Sequence, residues 1–113
     1  MAERHQWSQE DLVALQQAAA TLERLGVWSV FVRGVCHLRT EMHVHPRDLI
    51  RISRLPGVSV EKPRLLGPGH WRVTISVGCI TMYAQVDTDT LPAIGWRLDG
   101  GEPRLSRIEA GSP

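Results

Sequence analysis

The sequence has few of the residues that settle a chemistry by themselves. It holds two cysteines, Cys36 and Cys79, and no Cys-x-x-Cys pair, so neither a zinc ribbon nor a redox dithiol is encoded, and two free thiols in a reducing compartment are expected. Of thirteen basic residues only Lys62 is a lysine, a bias that fits a GC-rich genome or a use for rigid bidentate donors at an interface. Charge of one sign is also missing. Thirteen basic and twelve acidic residues leave +1, so there is no general field for nucleic acid or an anionic membrane, and any polyanion site must be local. No apolar run approaches a membrane span, and Met1-Ala-Glu-Arg-His-Gln lacks a basic segment followed by an apolar core, so a cytoplasmic protein is expected.

What is present suits one domain. A chain of 113 residues, 42% hydrophobic and 22% charged, is long enough to bury about 65% of the surface its unfolded form exposes. The expected division is a single α+β domain over residues 1–99 and a loose tail over 100–113, where Gly100-Gly101-Glu102-Pro103 and Gly111-Ser112-Pro113 gather.

Ser8 and Asp11 have the spacing of a capping box, with Trp7 stapled to Leu12. Leu12, Leu15, Ala18, Ala19, Leu22 and Leu25 then recur at helical spacing, and Gly26-Val27 matches a Schellman end. Val27 to Arg33 is β-branched and aromatic, a strand. A three-residue loop at Arg33-Gly34-Val35 is expected next, because it pairs Val32 with Cys36 and Val30 with Leu38 and keeps the apolar sides together. Pro46 starts a short helix reaching about Leu55. Val58 to Leu66 is extended, and Pro63 places it at a sheet edge. Trp71 to Val77 and Ile80 to Val86 alternate around Gly78-Cys79, a hairpin with a two-residue turn. Leu91, Ile94 and Trp96 are expected to cover one end of the core. The expected architecture is α-β-β-α-β-β-β, an antiparallel sheet of about five strands with helices on one face.

The run Cys36-His37-Leu38-Arg39-Thr40-Glu41-Met42-His43-Val44-His45 carries the most chemistry. As one strand it turns His37, Arg39, Glu41, His43 and His45 to a single face. His43 and His45 would lie roughly 6.5 to 7 Å apart, close enough to share zinc or another divalent ion with Glu41 as third group, as in a metal-binding protein or a metal-dependent hydrolase. A solvated strand face is the simpler account of the same pattern. Cys36 and His37 point to opposite faces, so no thiolate-imidazole pair forms, and no catalytic residue is assigned. Arg47, Arg51 and Arg54 make a basic stripe on the second helix, an alternative site for nucleic acid.

Phe31 and Tyr83 break the rule of buried aromatics, since alternation sends both to the polar side of the sheet. With His37, Arg39 and Arg72 they form a candidate protein-binding surface, unless the C-terminal segment folds back over them. A homodimer, if formed, should use a sheet face or the edge away from Lys62, Pro63 and Arg64, which blunt theirs.

A hairpin ending His43-Val44-His45-Pro46, a short helix, the Pro56-Gly57-Val58 extension and the hairpin Val73-Thr-Ile-Ser-Val-Gly-Cys-Ile80 together resemble small uncharacterised accessory proteins encoded by phages and prophages of Gram-positive bacteria. The resemblance spans about residues 27–87. It implies a binder, of a kind that includes inhibitors of host defence proteins acting by occupying a partner, and it fits a chain with an aromatic-arginine surface and no catalytic constellation.

Overall fold

A computed structural model of the chain describes residues 8–27, 30–36 and 39–108. Helix α1 spans Gln9–Leu25. Its start is the predicted capping box: the Ser8 hydroxyl accepts from the Asp11 amide at 3.1 Å, and the Asp11 carboxylate accepts from the Ser8 amide at 3.2 Å. Its end is the predicted Schellman motif, with Gly26 at φ 71° and the Val27 amide donating to the Leu22 carbonyl at 3.0 Å. Trp7 lies outside the described residues. The buried stripe of α1 is Ala14, Ala18 and Thr21, with Leu22 and Leu25 beside the core, while Leu12 and Ala19 are exposed. The helix is therefore turned from the leucine-led face, and small residues bring its backbone close to the sheet.

Strand β1 (Val30–Cys36) pairs antiparallel with β2 (Arg39–Val44), which leads into α2 (Pro46–Ser53). Three short or long strands follow on one side, β3 (Ser59–Val60), β4 (Arg64–Gly67) and β5 (His70–Val77), and then β6 (Ile80–Asp87). A 3-10 helix, Thr88–Ile94, and a two-stranded sheet of β7 (Trp96–Leu98) and β8 (Leu105–Arg107) complete the chain. The fold is α+β. The main sheet has six strands in the order β1-β2-β6-β5-β3, with β4 also on β5.

Four expectations are corrected. The sheet is mostly antiparallel, as expected, but β2 and β6 run parallel at its centre, Thr40 opposite Ile80 and His43 opposite Tyr83. The loop at Arg33-Gly34-Val35 does not form. Instead β1 continues to Cys36 and carries a bulge between Val32 and Gly34, so that Val32 faces Met42 before the bulge and Val35 faces Thr40 after it. One extra residue in one strand restores the parity that an odd loop length was expected to restore. The segment from Val58 to Leu66 stands at the sheet edge as expected, but as two strands, β3 and β4, with Pro63 between them and both hydrogen-bonded to β5. Finally, residues 105–107 are a strand and not loose tail: Leu105 packs against the core, the Ile108 amide donates to the Gly95 carbonyl at 2.8 Å, and Arg107 lies over the Trp96 ring.

The β5–β6 hairpin has the predicted register, Val77 opposite Ile80 and Ile75 opposite Met82, with Gly78 at φ 56° as a primed turn needs. Its inward side chains, Trp71, Val73, Ile75, Ile80, Met82 and Ala84, are buried with Met42 and Val44 of β2. The same cluster takes in Ala18 of α1, Leu49 and Ile52 of α2, and Leu91, Ile94 and Trp96 after β6. The described helices therefore lie on one side of the sheet, and the other side is left to polar and aromatic residues.

Candidate contact surface

The register of the four longest strands, β1, β2, β6 and β5, fixes what stands on the outer side. Residues directly opposite one another share a face, so Phe31 of β1, His43 of β2, Tyr83 of β6 and Thr74 of β5 form one row across the sheet. The next row is Gly34, Glu41, Thr81 and Ser76. Arg72 stands opposite Gln85 on one side and Arg64 on the other.

Within this frame the side chains touch. The His43 and Tyr83 rings lie 5.2 Å apart between centroids at a tilt of 58°, a favourable aromatic geometry. The Arg72 guanidinium carbon sits 4.1 Å from the Tyr83 centroid, and its Nη2 reaches on to the Glu41 carboxylate at 3.5 Å. Arg39 donates from Nη1 to the Thr81 hydroxyl at 3.1 Å and from Nη2 to the Gly78 carbonyl at 3.3 Å, which ties β2 to the β5–β6 turn. Phe31, on edge strand β1, is 67% exposed, the most exposed large apolar side chain among the described residues. Two shallow depressions of about 420 and 430 Å³ meet at Glu41 and Thr81 and make one trough beside the aromatic row.

Of the expected surface, Phe31, Arg39, Arg72 and Tyr83 stand on the outer face, while His37 lies outside the described residues. Glu41 and His43 join them. The sequence had assigned both to a metal site, because nothing in it reveals that β2 lies beside β6. The C-terminal segment does not cover the aromatics as far as Ile108, since Trp96 and Leu105 pack at the core.

The Glu41, His43 and His45 set is not assembled. Strand β2 ends at Val44, and His45 is the N-cap of α2, its Nδ1 accepting from the Arg47 amide at 3.0 Å. Among the described residues no group of three His, Cys, Asp or Glu side chains is placed to hold a metal ion. Asp87 is likewise engaged as a cap, accepting from the Thr90 amide and hydroxyl.

The arginine stripe on α2 is a set of tethers. Arg51 donates to the Leu25 carbonyl at 2.6 Å and the Gly26 carbonyl at 3.5 Å, at the negative end of the α1 dipole, and pairs with Asp48 at 3.3 Å. Arg54 donates to the Ala93 carbonyl at 3.5 Å. Arg47 remains exposed. Two of the three cations assigned to nucleic acid thus hold helices to one another. No described helix is long and apolar enough to cross a membrane. No family model matches the chain, and neither curated proteins nor solved structures hold a match to it.

Proposed function

We propose that the chain is a non-enzymatic protein-binding module whose contact surface is the outer face of the six-stranded sheet, and that it acts by occupying a partner. The observation that carries this reading is the row of Phe31, His43 and Tyr83 with Arg72 laid over it. Aromatic and arginine side chains gathered on an exposed sheet face are what protein interfaces favour, because they offer large contact area at little entropic cost. The His43 and Tyr83 rings pack on one another and Arg72 on Tyr83, so this part of the surface is ordered before a partner arrives. An inhibitor of a host defence protein, of the phage type, is the narrower form of the same reading, and rests on the pattern of residues 27–87.

The test uses immobilised full-length chain and lysate of the source cell. A protein retained by the native chain and by Arg47→Ala, but lost with Phe31→Ala, is the expected result. Retention unchanged by Phe31→Ala refutes the outer face as the site.

A further inference from the structure

The trough beside the aromatic row has a charge balance unlike that of the chain. Five cations line it: Arg33 and Arg39 at the β1 end, Lys62 and Arg64 at the opposite edge, and Arg72 between them. Two carboxylates, Glu41 and Glu61, stand among them. Five less two leaves +3 along this one face, against +1 for the whole chain. Glu41 is already paired with Arg72. Arg39 is held by the neutral oxygens of Thr81 and Gly78, which position its charge without cancelling it. Neither Arg33, Arg39, Lys62 nor Arg64 has a carboxylate partner among the described residues.

We infer that the partner of this face presents an acidic protein segment, with carboxylates at both ends of the contact and an apolar pocket for Phe31 beside it. The inference rests on the outer-face reading above and adds the partner's chemistry. Like potentials across an interface repel and unlike ones steer encounter, so a face carrying +3 selects an anionic surface. A single-stranded nucleic acid, the other polyanion, fits less well. Its bases need a series of free aromatic faces to stack on, yet next to the exposed Phe31 the Tyr83 ring is covered by Arg72 and abutted by His43, and Glu41 and Glu61 would meet its phosphates.

The experiment follows backbone amides of the isotope-labelled chain while a short peptide of alternating Glu and Thr is added, with a Gln-Thr peptide and an oligothymidylate as parallel probes. Expected are saturable shifts at Arg39, Glu41, Arg64 and Arg72 with the Glu peptide, fading as salt rises. The double variant Arg39→Glu with Arg64→Glu should weaken that binding by at least about fivefold, with the remaining amide positions unmoved as the sign of an intact fold. Equal binding of the Gln peptide, absence of shifts, or shifts centred on Arg47 overturn the inference. Tighter binding of oligothymidylate to the same residues reassigns the face to nucleic acid and overturns it as well. A lysate partner lost with Phe31→Ala but indifferent to the double variant overturns the acidic chemistry alone; one indifferent to Phe31→Ala overturns the outer-face reading itself.

Discussion

Arg72 crosses over strand β6: it leaves β5 opposite Gln85, lies 4.1 Å above the Tyr83 ring and ends 3.5 Å from Glu41 on β2. One side chain thus spans three strands on the outer face. Its partners are partly exposed, so its worth to folding is small even though its worth to the shape of the surface is large. Arg72→Ala should lower stability by less than about 1 kcal/mol, read from the urea midpoint. Arg72→Lys keeps the charge and loses the planar stack, and should loosen the Tyr83 ring, visible as faster ring flipping by NMR.

Phe31 separates binding from folding. With two thirds of its surface exposed, Phe31→Ala should leave the thermal midpoint nearly unchanged while costing about 2 kcal/mol or more of partner binding in calorimetry. Tyr83 is half-buried, so its truncation should affect both.

On α2 the neighbouring arginines should behave differently. Arg51→Ala frees the last carbonyls of α1 and should destabilise by about 1 kcal/mol in denaturant unfolding. Arg47→Ala, with its side chain in solvent, should fall within about 0.5 kcal/mol of the native chain.

Thr40 is fully buried on β2, and its hydroxyl has no hydrogen-bond partner among the described residues. An unsatisfied buried polar group is costly, and valine has the same shape without the hydroxyl. Thr40→Val should raise stability by about 1 kcal/mol, a gain checked by thermal unfolding.

Ending the chain after Leu98 removes β8, strips Leu105 from the core and takes Arg107 off Trp96. A loss of about 2 kcal/mol or more is expected from the uncovered apolar surface, with Trp96 fluorescence shifted toward that of exposed indole.

Local signals were legible in the sequence and tertiary ones were not. The capping box at Ser8, the Schellman end at Gly26 and the register around Gly78-Cys79 each depend on a few adjacent residues, and each formed as read. Alternation also requires the apolar sides of the first hairpin to stay together, but a bulge at Arg33 and a three-residue loop satisfy that constraint equally, and alternation alone does not distinguish them. Phe31, Arg39, Arg72 and Tyr83 were placed on the outer face by alternation. Glu41 and His43 were grouped with His45 because the parallel joint between β2 and β6 has no local signature. His45 left that group because Pro46 makes it a helix cap.

That parallel joint has a kinetic consequence. The hairpins β1–β2 and β5–β6 each close over a short loop, but the joint between them waits for α2, β3 and β4 to be gathered in, a long loop whose closure entropy must be met first. His43 meets Tyr83, and Glu41 meets Arg72, only when that closure is complete. Neither hairpin alone carries the surface. A partner that recognises it therefore selects chains in which both halves have already joined, and leaves half-folded ones unbound.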